Sequence, residues 1–423
     1  MYKKIDLNNG LRVALNHMPY MESTVIGVWI AAGSRNENKS LCGISHFLEH
    51  IVFKGTPTRG SRQIKEEIEG RGGSLNGFTS EEVTCYLSKV SGHHAGIALD
   101  VLSDMALNAS MRKQDIERER SVITEEIKMY RDLPHHQVHD TLYEIMWPSH
   151  PLGLPIAGGI ESVNSITRQD LVDYKNKEYI SKNIVLVLCG NLKEIPSLKK
   201  IEKLFPLDPE KTSSPVVSFK NKQAAPQLKI FYKQTAQTRI SMGLHAFGRI
   251  HKDRYILSLL HIILGANMSS RLFEKVREQK GLAYEIGTEI KRHYETGGFI
   301  VNAGVEHTKL RKAVSLIIKE LRKIKTSGVS ANELKRAKEF FKVQLLLALE
   351  DTMERMLWLG DNVTALDKLP DKDAVIKKVT AISSADLLRV AKDIFNNKGL
   401  NLAVVGPVDD KERKGLEKEL KEL

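Results

Sequence analysis

A repeat of order at one fixed spacing constrains this chain more than any other feature. Ile166, Asp170-Leu171, Tyr179 and Gly190 recur as Ile382, Asp386-Leu387, Phe395 and Gly406, each 216 positions later without a gap. In both copies an Asp-Leu helical segment leads into an apolar run, Ile184 to Leu188 in one and Leu400 to Val405 in the other, and a glycine follows. Short apolar runs closed by glycine read as buried strands. Near the starts of the halves, Thr24 to Ile30 and Thr238 to Leu244 are both strand-like and lead to Arg35 and Arg249. An internal duplication of this kind predicts two similar units. A chain of 423 residues also suits two domains of about 200 better than one core. Lys211 to Gln227, with Ser213-Ser214-Pro215 and Pro226, has the composition of a linker. The expected division is a first domain over 1–212, a linker over 213–227 and a second domain over 228–423. Helical patterns at Arg254 to Leu264 and Ala331 to Met353 mix with runs of consecutive strands. That mixture predicts α+β halves, each an antiparallel sheet flanked by helices.

The first half carries the chemistry. In His46-Phe47-Leu48-Glu49-His50 the histidines stand four apart and Glu49 three from the first. On a helix all three point from one face. Two imidazoles so spaced can bind one Zn²⁺ and leave room for a third protein ligand and a water. Glu49 then sits beside the water whose proton the reaction must remove. The pattern H-x-x-E-H is the inverzincin signature. A polar helix face with two solvated histidines is the plain alternative. The neighbours Ile44, Phe47, Leu48, Ile51, Val52 and Phe53 weigh against it, because a helix so apolar is buried and buried polar groups need partners.

A third ligand has to come from another element. Asp115 to Ile127 reads as a charged amphipathic helix in which Glu119, Val122, Ile123 and Glu126 form one stripe. If that stripe faces the motif helix, Glu126 can ligate the metal and Glu119 lies near the site. If it does not, both acids are solvated and pair with Arg118, Arg120 or Lys128.

At this point the residues resemble a family, the M16 zinc peptidases: the mitochondrial processing peptidases, insulysin and pitrilysin. Their H-x-x-E-H is followed by a glutamate about 76 residues on, and Glu126 stands 76 positions after His50. The likeness also covers His46 to Thr56, Gly72 to Thr79, Pro151-Leu152-Gly153 and much of the second half. It implies that His46, His50 and Glu126 hold one zinc per chain, that Glu49 is the general base and that Glu119 is the family's additional acid. It implies that Arg277 and Tyr284, seven apart in Arg271 to Tyr284, reach the substrate, Arg277 to a carbonyl and Tyr284 to the developing oxyanion. It makes Asn76, Gly77 and Phe78 part of a sheet edge that pairs with an extended substrate by strand addition. The family usually has alanine where this chain has Gly77. The implied fold is two homologous halves closing like a clamshell, the metallohydrolase fold of the processing peptidases. The second copy lacks the metal motif; Tyr255 to Ile262 stands in its place, and His261 reads as a core histidine. The implied activity is a zinc-dependent endopeptidase acting on peptides or unfolded precursor segments. The alternative is a non-catalytic structural or partner subunit of a processing-peptidase-like complex. A general peptide scavenger and a dedicated maturation peptidase read alike, and a homodimer is expected, with a heterodimer also open.

Composition bounds the remainder. The net charge is +12, from 64 Lys+Arg against 52 Asp+Glu, but the basic residues are diffuse and no nucleic-acid motif accompanies them. They read as a solvated surface, so no nucleic-acid partner is expected. Glu81, Glu82 and Glu119 could make the interior locally acidic. No apolar run approaches about 18 residues, so no membrane span is expected. Cys42, Cys85 and Cys189 form neither a metal cluster nor a disulfide framework. With no signal-peptide pattern at the start, the expected compartment is the cytoplasm. His135, His136 and His139 read as a solvated cluster in a polar loop.

Overall fold

The computed structural model describes residues 2–212 and 215–423; Ser213 and Ser214 of the expected linker lie outside the described residues. Six strands, β1 (Tyr2–Asp6), β2 (Arg12–His17), β3 (Ser23–Ile30), β4 (Ser74–Thr79), β5 (Thr84–Ser91) and β6 (Ile184–Gly190), form one sheet in the order β1-β2-β6-β3-β5-β4. Five more, β7 (Gln227–Tyr232), β8 (Thr238–Phe247), β9 (Ala283–Arg292), β10 (Thr296–Val305) and β11 (Leu400–Gly406), form a second in the order β7-β11-β8-β10-β9. Leaving β1 aside, the two orders correspond strand for strand. The duplicated runs are β6 and β11, each lying beside the edge strand, β2 or β7, of its five-strand arrangement. The pairing is antiparallel except for β2 with β6 and β7 with β11, which are parallel. The departure from all-antiparallel sheets has a simple cause. β6 and β11 enter their sheets after a helix, Arg168–Glu178 and Ser384–Ile394, rather than through a hairpin.

Contacts group the chain into two compact units. One holds Met1–Lys128, Leu154–Val217 and Leu346–Asp371; the other holds Met129–Gly153, Ser218–Leu345 and Lys372–Leu423. In the first unit β3 is buried on both faces. Ile26, Val28 and Ile30 pack with Phe47, Leu48, Ala98 and Leu99 of the helices Ile44–Val52 and Ala95–Asn108. Val25 and Trp29 turn the other way, onto Met356, Leu359 and Val363 of the helix Thr352–Leu366. That helix comes close enough that a Cβ on Gly360 would lie 2.2 Å from Trp29 Cε2. In the second unit Ile240, Met242, Phe299 and Val301 pack with the helices Arg254–Leu264 and Leu310–Ser327. The opposite face, Ile300, Ala403 and Val405, takes Leu142 and Met146 of the helix Pro134–Met146. Each such fully buried apolar side chain contributes about 1.5–3 kcal/mol, so these two-sided sheets are the main source of stability.

Two local expectations change. His135, His136 and His139 are not in a loop: Pro134 occupies the first turn of a helix, where its missing N–H is harmless, and the chain runs helically to Met146. His135 and His136 are exposed, while His139 is half-buried. Val122, expected on the buried stripe of its helix, is 50% exposed, whereas Ile123 is fully buried.

Candidate metal centre

The motif helix, Ile44–Val52, begins at Gly43, whose φ of +96° suits glycine alone. A Cβ there would also meet the Ala157 carbonyl oxygen at 2.6 Å. The first turn leaves backbone N–H groups without helical partners. Glu37, itself buried, accepts two of them: Gly43 N–H at 2.7 Å and Ser45 N–H at 2.8 Å. Burial pushes the Glu37 carboxyl up to about 7 even against those bonds. Ser45 and Tyr174 hydroxyls meet at 2.7 Å. With Ile44, Phe47, Leu48, Ile51 and Val52 all buried, the helix can present only His46, Glu49 and His50 as a polar stripe.

The third member comes from the helix Lys113–Asp132. Glu126 Oε2 lies 3.8 Å from His46 Nε2 and 3.5 Å from His50 Nε2. One ligand atom from each of the three residues lies within 4.8 Å of the other two. Tetrahedral zinc with bonds of about 2.0–2.1 Å separates its ligand atoms by roughly 3.4 Å, so the cluster is of the right size. Two imidazoles and one carboxylate are also the donor set of a catalytic zinc with an open position. His46 Nδ1 is buried with no hydrogen-bond partner among the described residues, which leaves Nε2 as the ring's polar outlet, toward Glu126. These observations fit zinc.

The groups around the cluster are ordered. Glu119 Oε2 lies 3.1 Å from His50 Nδ1, and its Oε1 takes Lys54 Nζ at 2.7 Å. Both oxygens of Glu119 are therefore engaged within the protein. Burial alone would raise its carboxyl; the bonds from His50 and Lys54 outweigh it and hold the group below the usual carboxylate range. Burial likewise lowers His50, but Glu119 and Glu126 outweigh it and push the imidazole up to about 9. His46, buried and beside His50, falls to about 4. The two rings stand 4.7 Å apart, edge to face. Glu49 is raised by burial, opposed by a hydrogen bond from the Thr79 hydroxyl to its Oε2 at 2.5 Å.

The expected substrate edge is β4, which ends its sheet and, among the described residues, pairs with β5 alone. Its alternation sets the roles. Leu75, Gly77 and Thr79 point toward the motif helix, and a Cβ on Gly77 would press on the Phe53 ring at 3.2 Å. The glycine thus makes room for the aromatic residue that ends the motif helix. Asn76 is exposed and accepts the Gly77 N–H, and Phe78 packs edge-on against Trp29 at 5.6 Å. Glu82 is paired with Arg35, so its charge is locally neutralised. In the second unit Arg277 lies in a π-helical turn, Phe273–Glu278, with its guanidinium 4.6 Å over the Phe273 ring and 5.6 Å from the Tyr284 ring. Tyr284 is 76% exposed. Gly281, at φ +55°, ends the helical segment before β9. Thr79, Lys54 and Glu37 were not singled out by sequence. The period-2 alternation from Gly77 was the one available pointer to Thr79.

Residues 12–159 match the model of the insulinase family, peptidase family M16, and residues 165–341 match the peptidase M16 inactive domain. The zinc protease YmxG of Bacillus subtilis is 34% identical over 407 residues, covering 96% of this chain and 98% of its own. The chain belongs to the M16 family of zinc peptidases. Two solved structures carry the same M16 fold. A protease from Helicobacter pylori superposes with a TM-score of 0.88 at 22% identity, covering 96% of this chain and 99% of that one. A chain of complex III from Candida albicans does so with a TM-score of 0.82 at 19% identity, covering 99% of each. Among the described residues no helix is long and apolar enough to cross a membrane.

Proposed function

We propose that this M16 protein is a zinc-dependent endopeptidase, with one zinc per chain on His46, His50 and Glu126. The observation that carries the reading is the convergence of those three ligand atoms beside the half-buried carboxylate of Glu49. When bound, zinc acidifies a water and polarises the scissile carbonyl. The protein's own groups do the rest. Glu49 takes a proton from the water and returns it to the leaving amine. A carboxyl raised by burial is suited to both halves of that transfer. Glu119 fixes the His50 ring through Nδ1, which leaves Nε2 for the metal. The β4 edge offers free backbone groups to an extended peptide, with little demand on its sequence. Arg277 and Tyr284 bind substrate, the first at a carbonyl and the second at the oxygen that becomes negative. The division into a catalytic first half and a substrate-binding second half follows from where these groups lie in the chain. A homodimer and a cytoplasmic site complete the proposal; three free, buried cysteines suit a reducing compartment.

A second reading, a non-catalytic subunit of a larger assembly, draws on one observation: a chain of complex III shares this fold. The same experiment separates the two. Metal content is measured beside hydrolysis of a quenched peptide library for wild type and Glu49→Gln. One zinc per chain in both, with activity in the wild type alone and lost to chelator, is expected. Absence of zinc, or zinc with an active Glu49→Gln, overturns the mechanism; zinc with no hydrolysis of any peptide favours the subunit.

A further inference from the structure

We infer that Thr79 is a positioning residue for the general base: its hydroxyl fixes which oxygen of Glu49 is free to take the proton. The inference rests on the peptidase reading above. Thr79 Oγ lies 2.5 Å from Glu49 Oε2. An ionised carboxylate only accepts, so the hydroxyl must donate. No donor among the described residues reaches Oε1. Oε2 is thus occupied and Oε1 is the oxygen left to accept from water. The bond survives the transfer, because a carboxylic acid protonated on Oε1 still accepts at Oε2. The terminal torsion of a glutamate is otherwise soft and twofold, and an unpinned carboxylate would present either oxygen in changing orientation.

The hydroxyl is itself held by a rigid frame. Thr79 is the last residue of β4 and pairs with Thr84. Ser80 N–H bonds Val83 O at 2.8 Å in the turn that follows. That turn is tied to the segment bearing Glu37: Ser34 N–H reaches Ser80 O at 3.2 Å and Arg35 N–H reaches Glu81 O at 2.7 Å. Glu37 in turn anchors the start of the motif helix. One short segment, residues 33–37, therefore sets both the helix that carries Glu49 and the strand end that carries Thr79. Two residues before Thr79, Gly77 admits the Phe53 ring that closes the same helix. The hydroxyl and the carboxylate are fixed to one scaffold from both sides, the condition for orienting a base to within a fraction of an ångström.

The test compares Thr79→Val, which keeps the shape and loses the hydroxyl, with Thr79→Ser, which keeps the hydroxyl. Thr79→Val should lower kcat about 10- to 100-fold on a quenched peptide, the usual loss when a group supporting a reactive centre is removed. KM and zinc content should stay at wild-type values, and Thr79→Ser should restore kcat. A readout independent of turnover is thermal unfolding of the zinc-free protein. The melting-point loss from Thr79→Val, about 2–4 °C, should vanish in a Glu49→Ala background. Wild-type kcat in Thr79→Val, loss of zinc in step with activity, equal failure of the serine variant, or melting losses that simply add would overturn the inference. Its failure is distinct from that of the underlying reading. If the inference alone fails, the wild type holds zinc and cleaves peptide while Glu49→Gln is inactive; if the reading fails, the wild type lacks zinc or activity, or Glu49→Gln is active.

Discussion

Glu119 decides between two jobs that a carboxylate near zinc can do, and the structure favours one. A substrate-facing acid needs a free oxygen; here Oε2 is 3.1 Å from His50 Nδ1 and Oε1 is 2.7 Å from Lys54 Nζ. Glu119→Gln retains an amide oxygen for Nδ1 and removes the charge. A hydrogen bond to a charged group contributes about 1.5–3 kcal/mol. Losing half or all of that term costs about 1–3 kcal/mol, which is roughly 5- to 150-fold in metal affinity at 1.4 kcal/mol per decade. The assay is zinc affinity by competition with a fluorescent chelator, run beside peptide hydrolysis at rising free zinc. The expected outcome is weakened zinc binding, with activity largely recovered once the metal is saturating. Lys54→Met is the control: it leaves the Glu119 carboxylate uncompensated beside His50 and should hold zinc at least as tightly as wild type. Unchanged zinc affinity in Glu119→Gln, with activity lost at every zinc concentration, would refute the reasoning and put Glu119 against the substrate.

Other expectations follow from packing and charge. Gly360→Ala places a methyl 2.2 Å from Trp29 Cε2 inside a closed core, and overpacking of this kind costs about 1–3 kcal/mol or more; a denaturant melt with no loss of stability would contradict the packing described. Arg271 grips Glu333 through two bonds, at 2.7 and 3.0 Å, and holds its carboxyl down at about 2. A carboxyl depressed on folding contributes stability above its unfolded value of 4.5 and loses it as pH falls through about 2. After allowance for solvent screening, Glu333→Gln should cost about 1–2 kcal/mol at pH 7 and little at pH 2; an equal deficit at both pH values would show that the ion pair is not the cause. His261, bonded to Thr288 Oγ at 2.7 Å on the helix that replaces the metal motif, should be dispensable for zinc, so His261→Ala should keep full metal content; a loss of zinc would reopen its role.

The architecture was readable because it rests on repetition and period. The 216-residue offset picked out β6 and β11, which prove to be corresponding strands of two sheets with one order. Strands as apolar as β3, buried on both faces, leave little choice of register or depth. What could not be read is which helix covers which sheet. The helix Thr352–Leu366 packs in the unit of the first half, and the helix Pro134–Met146 in that of the second. Nothing in an amphipathic pattern says which apolar surface it will meet, so the fit of Gly360 to Trp29 is a tertiary fact. The histidines of Pro134–Met146 misled for a related reason. Their polarity suggests a loop, but Pro134 starts a helix as readily as it breaks one, and Val138, Leu142 and Met146 supply the buried stripe.

The site divides along the same line. His46 and His50 are four residues apart on one helix with Glu49 three from the first, and their shared face follows from helical geometry alone. Glu126 could be ranked above its alternatives only through a family spacing, because the charged helix Lys113–Asp132 carries many acids and periodicity does not say which of them meets the motif helix. The structure separates them by position: Glu126 Oε2 lies 3.8 Å from His46 Nε2 and 3.5 Å from His50 Nε2, Glu119 is buried against His50 Nδ1, and Val122, a neighbour on the expected stripe, lies outside. The contacts that orient the reactive groups were least legible. Thr79, Lys54 and Glu37 are ordinary polar residues in sequence and acquire meaning only when β4, the end of the motif helix and the segment before it meet in space. Sequence thus points to the groups proposed to perform the chemistry, which need special residue types at special spacings. The groups that aim them need only a donor or acceptor in the right place, which many residue types supply, and their identity is settled by the fold.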